Sequence, residues 1–272
     1  MLMSEIVKGY YNENAIIEWN RLTNPYSNIE FQTTLYMMDK YFKSTGKVLD
    51  IGCGPGRYSV ELLKKGYDVT LYDISEEELN VAKEKIEEYG LKANEFVCGD
   101  CTDLHRFNDN SFDAVLLMGP MYHIQDIKLR GELLKNIKRI LKKDGVAIVA
   151  YLNGLGIIKA ALHECSYEYA NLEHVCKLMK NKAWSKEESF TETYVVTPSG
   201  AIKEIEDSGL EIISYFGAES FSVGIHSEIK RIADEDIKCY ENILELCKQT
   251  CEMKEYRDST EHIHFIVKST TP

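Results

Sequence analysis

The chain has 272 residues, 44% of them hydrophobic and 28% charged, which is an ordinary composition for a globular protein. This length predicts one or two domains that fold without support from disulfides or metals. The 32 Lys and Arg residues stand against 44 Asp and Glu, giving a formal net charge of −12. Nucleic-acid backbones and anionic membranes attract clustered positive charge, so we expect neither as the main partner, although a local basic patch is not excluded.

The sequence shows no targeting or metal-binding pattern. Residues Met1–Glu5 lack the basic and apolar regions of a secretory signal, and no run approaches the ~18–20 apolar residues of a membrane span. Eight cysteines without such a signal predict reduced thiols in a cytoplasmic protein. Neither Cys98 with Cys101 nor Cys247 with Cys251 has a second pair at zinc-site spacing, so we predict no metal site.

The N-terminal segment, residues 1–45, contains no strand pattern. It predicts two helical pieces separated by Thr23-Asn24-Pro25, and Tyr10, Tyr11 and Trp19 make the first piece aromatic. We expect this segment to form a helical lid on the rest of the chain.

Residues 46–150 alternate short apolar runs with amphipathic helical patterns. Nearly continuous apolar strands separated by helices predict a doubly wound α/β unit, whose parallel sheet is covered on both faces. The predicted strands are Lys47–Ile51, Tyr67–Tyr72, Phe96–Val97, Phe112–Met118 and Val146–Ala150.

Two helices in this region have clear ends. Ser75 is the predicted N-cap of a helix running to Tyr89, with Glu78 completing a capping box. A second apolar stripe from Leu129 to Leu141 is followed by Lys142, Lys143 and Gly145, which predict the end of that helix.

The remainder of the chain predicts a helical cap insertion at residues 151–197 and closing elements of the same sheet at 198–272. The closing elements are a helix to Ser208, a strand at Leu210–Phe216, a long helix at Ile229–Cys247 and a final strand at Ile263–Val267. Without a linker or repeat, the whole of 1–272 is expected to form a single domain.

A glycine-rich loop, Gly52-Cys53-Gly54-Pro55-Gly56, follows the first strand. Alternate glycines permit positive φ and close approach of a ligand to the backbone, and the next helix start favours a negatively charged group. A tight turn without a ligand is the alternative. The spacing differs from the G-x-G-x-x-G of dinucleotide-binding folds.

The segment Val48 to Gly56, with Asp50 two residues before the first glycine, resembles motif I of the class I S-adenosylmethionine-dependent methyltransferases. Phe112 to Val115 and Arg139 to Gly145 resemble later segments of that family, specifically its small-molecule type 11/25 members. The resemblance implies a Rossmann-like sheet of seven strands, the last antiparallel, and S-adenosylmethionine as cofactor, with S-adenosylhomocysteine as product. The cofactor-binding residues that it implies are Asp50, Gly52, Cys53, Gly54, Pro55, Gly56, Asp73, Ile74, Asp100, Cys101, Met118 and Tyr11.

Two acids have specific roles in this resemblance. Asp73, at the end of the second strand, matches the carboxylate that binds both ribose hydroxyls, and Asp100 matches the acid that meets the adenine amino group. Each has an alternative: Asp73 could cap the helix that begins at Ser75, and Asp100 could be a turn residue. Tyr11 could roof the cofactor or pack its helix on the sheet.

The fourth strand leads into Met118-Gly119-Pro120-Met121-Tyr122-His123, at the edge of the sheet where open α/β folds bind ligands. Base and glutamine methylases of this family usually carry an Asn/Asp-Pro-Pro-aromatic motif here, which is absent. His123 is a candidate general base, because imidazole titrates near neutral pH, or else a packing residue; Tyr122 is a candidate for positioning the acceptor. His163, His174 and His226 are weaker candidates, and His262 with His264 is a still weaker metal pair.

The resemblance therefore implies methyl transfer to a small-molecule acceptor, without nucleic acid or membrane, by a monomer or homodimer. The alternatives are a non-catalytic S-adenosylmethionine-binding sensor and an NAD-dependent oxidoreductase, the latter disfavoured by the glycine spacing. The acceptor and its attacking atom stay open.

Overall fold

The structure is a computed structural model that describes residues 5–269, apart from the side chain of Glu164. The first residues of the predicted lid, Met1–Ser4, and residues 270–272 lie outside this description. The strands are β1 (Lys47–Ile51), β2 (Asp68–Asp73), β3 (Glu95–Cys98), β4 (Phe112–Leu117), β5 (Leu141–Asn153), β6 (Lys182–Trp184), β7 (Thr193–Val196), β8 (Leu210–Gly217) and β9 (His262–Ser269).

Helices surround these strands in chain order. They are α1 (Glu5–Arg21), α2 (Pro25–Tyr41), α3 (Arg57–Lys64), α4 (Glu76–Glu88), α5 (Ile127–Ile140), α6 (Gly154–Glu164), α7 (Leu172–Cys176), α8 (Pro198–Asp207), α9 (His226–Glu235), α10 (Ile237–Thr250) and α11 (Lys254–Arg257). The predicted break between the first two helices is confirmed, because Asn24 caps α2 and Pro25 occupies its first turn.

The sheet has the predicted α/β architecture. Strands β3, β2, β1, β4 and β5 are parallel in that order, β9 pairs antiparallel with β5, and β8 pairs antiparallel with β9. Buried apolar clusters cover both faces, as continuous apolar strands require. The chain order reverses beside β1, so the crevice between the ends of β1 and β4 is the expected ligand site.

The prediction of a purely helical insertion at 151–197 was wrong. Residues up to Asn153 extend β5, and the insertion contains the short strands β6 and β7 in addition to its helices. Strand β7 pairs with the end of β5 at Leu152 and Asn153, beyond the last residue of β5 that β4 reaches. The sheet therefore has nine strands instead of seven.

The predicted long helix at Ile229–Cys247 is also wrong, because the chain breaks at Asp236 into α9 and α10. The Asp236 side chain accepts from the backbone N–H of Cys239, so this residue is the N-cap of α10. Helix α5 likewise ends earlier than predicted, at Ile140, and β5 begins immediately after it. Among the described residues, no helix is long and apolar enough to cross a membrane.

Candidate active site

A cavity lies at the carboxyl ends of β1, β2 and β4, with α1 forming one wall. It is the place where the chain reversal beside β1 leads us to expect a ligand. The structure brings together twelve of the predicted site residues in its lining: Tyr11, Asp50, Gly52, Cys53, Gly54, Pro55, Asp73, Ile74, Cys101, Met118, Tyr122 and His123. Gly56 and Asp100 are not among the lining residues.

The three glycines of the loop serve different purposes. A Cβ at Gly52 would lie 2.6 Å from the Pro120 ring, so Gly52 allows the loops after β1 and β4 to touch. A Cβ at Gly54 would meet only the Glu78 carboxyl, at 3.8 Å, because this glycine faces the cavity. Gly56 has φ +80° and packs against Ala82 of α4, so it supports the loop from outside the cavity.

Asp73 joins the glycine loop to the start of α4. One carboxylate oxygen accepts from the N–H of Gly54 at 2.8 Å and the other from the N–H of Ser75 at 2.9 Å. Burial raises its pKa to about 6, although these N–H groups oppose the shift. Each carboxylate oxygen retains a second lone pair, so this structural contact and the predicted ribose contact are compatible.

Asp100 takes the conformation of a turn residue. Its Oδ1 accepts from both the N–H and the hydroxyl of Thr102, at 2.9 and 2.7 Å. The neighbouring Cys101 lines the cavity instead and is buried. The predicted adenine contact of Asp100 therefore stays a prediction.

His123 is buried and has partners on both ring nitrogens. Its Nδ1 lies 2.9 Å from the backbone carbonyl of Glu192, in the insertion, and its Nε2 lies 2.7 Å from the Tyr11 hydroxyl on α1. A carbonyl can only accept, so Nδ1 carries the proton and the neutral ring accepts from Tyr11 at Nε2. Burial lowers the His123 pKa to about 4, against the opposing contact with Glu192, and keeps the ring neutral at physiological pH.

Tyr122 directs its hydroxyl back into its own loop. The hydroxyl donates to the Met118 carbonyl at 2.9 Å, while the ring packs edge-on against His123. Burial raises the Tyr122 pKa well above its usual range. The Tyr122 ring, together with Met118, therefore forms a wall of the cavity.

Sequence reasoning missed the carboxyl of Glu78 as a cavity group. Ser75 does cap α4, accepting from the Glu78 N–H at 3.1 Å, but the Ser75 N–H donates to Asp73. The predicted capping box is therefore only half formed, and the Glu78 carboxyl lines the cavity. The helical phase of the buried Leu79 and Ala82 was the available signal that residue 78 faces inward.

Charged groups of both signs line this cavity. Asp50 is buried, with Oδ2 accepting from the Ser59 hydroxyl at 2.7 Å and Oδ1 lacking a hydrogen-bond partner among the described residues. Burial raises its pKa to about 7. The cationic lining residues are Arg21, which pairs with Glu30 at 2.9 Å, and Arg57, which stacks on Trp19.

This lining fits S-adenosylmethionine. The ligand carries a sulfonium, an ammonium and a carboxylate, and the cavity offers carboxyls and two arginines to match them. The open face of Gly54 leaves room where any other residue would place a Cβ. Unpartnered oxygens of buried Asp50 and Glu78 provide acceptors that such a ligand can satisfy.

The other histidines lie apart from this lining. His163 and His226 stack on each other with ring centroids 4.7 Å apart, and His174 packs on Trp184. His262 contacts Glu219 at 2.6 Å; with Glu30 they form a group whose ligand atoms lie within 4.8 Å. None of the eight cysteines, all of which lie in the described part of the chain, forms a disulfide.

Comparisons with known proteins agree with this geometry. Residues 48–145 match a family model described as a methyltransferase domain. A tRNA 5-carboxymethoxyuridine methyltransferase of Escherichia coli K12 is 23% identical over 80% of this chain and 78% of its own length. A ubiquinone biosynthesis O-methyltransferase of Caulobacter sp. K31 is 34% identical, over 39% of this chain and 41% of its own length.

A solved structure shares the fold across nearly the whole chain. The 1,6-didemethyltoxoflavin-N1-methyltransferase of Burkholderia thailandensis, solved with S-adenosylhomocysteine, is 12% identical and covers 98% of this chain and 88% of its own, with TM-score 0.61. The glycine loop, the acid after β2, the sheet order and the family match converge on one assignment. Residues 48–145 form a methyltransferase domain of the class I S-adenosylmethionine-dependent type, and S-adenosylmethionine is its methyl donor.

Proposed function

We propose that this enzyme methylates a small-molecule acceptor, which binds beside Tyr11, Tyr122 and His123. The observation that carries the proposal is the chain of hydrogen bonds from Tyr11 through His123 to Glu192. It ties α1, the loop after β4 and the insertion together over the end of β4. An acceptor enclosed by three separate chain segments must be small, or must present a small group.

Charge supports the same proposal. The E. coli relative is named for a tRNA substrate, and binding tRNA requires positive charge to neutralise phosphates. This chain has a net charge of −12, and the two arginines of the cavity already contact Glu30 and Trp19. We further propose one domain over residues 1–272 and a cytoplasmic location, which suits eight cysteines that form no disulfide among the described residues.

The chain's residues would then divide the work between donor and acceptor. S-adenosylmethionine, when bound, supplies a methyl group already activated by its sulfonium. Asp73 would hold the ribose, the Gly52–Gly54 backbone would approach the ligand closely, and Ile74 and Cys101 would wall the adenine, with Asp100 as its predicted polar contact. The main task of the protein is to align the acceptor and exclude water.

His123 and Tyr11 would handle the proton of an acceptor that must lose one. The Glu192 carbonyl fixes the Nδ1–H tautomer and leaves Nε2 as the basic atom, occupied by the Tyr11 hydroxyl. The acceptor's proton then passes to the Tyr11 oxygen while the hydroxyl proton of Tyr11 passes to Nε2. Tyr122 would position the acceptor through its ring.

A turnover screen tests this proposal. Small phenols, amines and thiols, with bulk tRNA as a separate arm, are assayed for release of S-adenosylhomocysteine. We expect release with a small acceptor, and a loss of about 10²–10⁴-fold in kcat for H123A and Y11F, the usual contribution of general-base catalysis. The control Y10F alters a neighbouring tyrosine that packs edge-on against Tyr11.

Each part can fail separately. Release with tRNA alone would overturn the small acceptor. Donor binding without release for any acceptor would favour the non-catalytic sensor. An H123A rate that equals the parent's across pH would remove the base role.

A further inference from the structure

Glu78 is a buried acid that the proposed mechanism does not use. Its side chain, in the first turn of α4, is 0% exposed and lines the donor cavity. Within the described residues, neither carboxyl oxygen has a hydrogen-bond partner. Oε2 lies 3.8 Å from the point that a Cβ would occupy on Gly54, so the carboxyl is aimed across the open face of the glycine loop.

The groups facing Glu78 are mostly acidic. Burial is the main cause that raises the Glu78 pKa to about 9, and the nearby acids Asp73 on β2 and Glu18 on α1 raise it further. The charge of Glu78 in turn contributes to the raised pKa values of Tyr10 on α1 and Cys53 in the glycine loop. Asp50 of β1 and the cations Arg21 and Arg57 line the same cavity, but neither arginine contacts the Glu78 carboxyl.

We propose that Glu78 is a charge-selective contact for the methyl donor, a neutral acid in the free protein and a carboxylate when S-adenosylmethionine is bound. An uncompensated buried carboxylate is costly, so Glu78 holds its proton until a positive group arrives. The donor brings a sulfonium and an ammonium, and it leaves the reaction as a thioether with one positive charge fewer. Glu78 would thus favour the charged donor over the neutral-sulfur product. The inference rests on the donor site and not on the identity of the acceptor.

The proposal predicts that donor binding releases a proton from Glu78. At pH 8, about one unit below its pKa of about 9, the free protein holds most of this proton. Asp73 and Asp50, with pKa values of about 6 and 7, are already largely ionised there. The ammonium of the ligand titrates near pH 8 as well, and a Glu78 carboxylate would favour its protonated form, so proton uptake by the ligand lowers the net release from the parent.

Calorimetry in two pH 8 buffers of different ionisation enthalpy counts the protons. We expect the parent to release up to one proton more than E78Q on binding S-adenosylmethionine, and E78Q to bind it about tenfold more weakly, the equivalent of one pKa unit. S-adenosylhomocysteine should show a smaller difference in both quantities. E77Q, an exposed neighbour on the same turn, is the matched control and should behave as the parent.

Thermal unfolding of the variants without ligand tests whether weaker binding comes from a destabilised fold. E78Q and E78M remove an unpaired buried acid, so without ligand both should unfold at the parent's temperature or higher. Equal proton counts for parent and E78Q with S-adenosylmethionine would overturn the proposal. A difference equally large with S-adenosylhomocysteine would overturn the selectivity for the charged donor. A parent that binds neither ligand would instead contradict the donor site itself.

Discussion

At the scale of single residues, two glycines of the same loop have different roles: one gives the ligand room, and the other allows close packing. Gly54 and Gly56 both have positive φ, +51° and +80°. Only Gly54 faces the cavity, whereas Gly56 is closed in by Ala82 and Leu71 at 3.1 and 3.2 Å from an added Cβ. Gly54 therefore makes room for the ligand, and Gly56 permits the packing of α3 and α4 around the loop.

Alanine substitutions should separate these two roles. G56A should lower the free energy of unfolding by about 1–3 kcal/mol, from the left-handed backbone and the tight contacts. G54A should cost about 1–2 kcal/mol through its backbone alone, yet weaken donor binding by about tenfold or more because its Cβ enters the cavity. Urea unfolding and calorimetry measure the two effects; G54A binding as tightly as the parent would remove the close-approach role.

The sequence predicted some contacts of the site residues and not others. The resemblance implied that Asp73 and the glycine loop bind one cofactor, and the ends of β1 and β2 bring them into contact. It could not decide whether the Asp100 carboxylate would bind a ligand or accept hydrogen bonds from Thr102, because either can supply the donors. Helical phase indicated that Glu78 faces inward, but not that its carboxyl lines the cavity, because that placement depends on α1 packing over α4.

At the scale of elements, the insertion is attached to the core by Arg130 of α5. The side chain is 0% exposed; its Nε donates to Glu204 of α8 at 2.5 Å and its Nη1 to the Ile124 carbonyl at 2.7 Å. Its guanidinium also stacks 3.6 Å from the ring centroid of Tyr194 in β7. This one residue joins α5, α8, the insertion and the loop that carries His123. Short strands such as β6 and β7 depend on tertiary contacts of this kind, so local patterns did not predict them.

Removing Arg130 should destabilise the protein far more than removing a surface cation. R130M leaves Glu204 buried without its partner, and we expect a loss of about 3–5 kcal/mol in the free energy of unfolding. Adding E204Q to R130M should recover part of this loss, because the unpaired charge disappears. The control K203M breaks an exposed pair with Asp207 on the same helix and should leave the free energy of unfolding close to the parent's. Urea unfolding compares all four proteins, and equal losses for R130M and K203M would contradict the attachment.

At the scale of the whole molecule, a cluster of charged side chains joins α1 and α2 to β9. Arg21 of α1 pairs with Glu30 of α2 at 2.9 Å. His262, at the start of β9, contacts Glu219 at 2.6 Å and lies 4.0 Å from Glu30. Periodicity predicted the sheet but not this cluster, whose members are separated by up to 241 positions, from Arg21 to His262.

This cluster should make stability depend on pH through His262. Burial lowers the His262 pKa, but the carboxylates of Glu30 and Glu219 outweigh it and raise the value to about 9, against an ordinary 6.5. A raised pKa means that the folded state binds the proton more tightly, so the stabilisation is fully present below pH 6.5 and is lost as pH rises through 9. Two and a half pKa units correspond to about 3 kcal/mol.

The buried acids complicate the parent's own curve, because a raised acid pKa also lowers stability as pH rises. Asp73, Asp50 and Glu78, with pKa values of about 6, 7 and 9, all act in this direction. The contribution of His262 is therefore read from the difference between the parent and H262Q, which keeps a hydrogen-bond donor but not the charge. Urea unfolding at pH 6, 7, 8 and 9 should show this difference shrinking by about 3 kcal/mol. Parallel curves for the two proteins would mean that His262 is not held charged by Glu30 and Glu219.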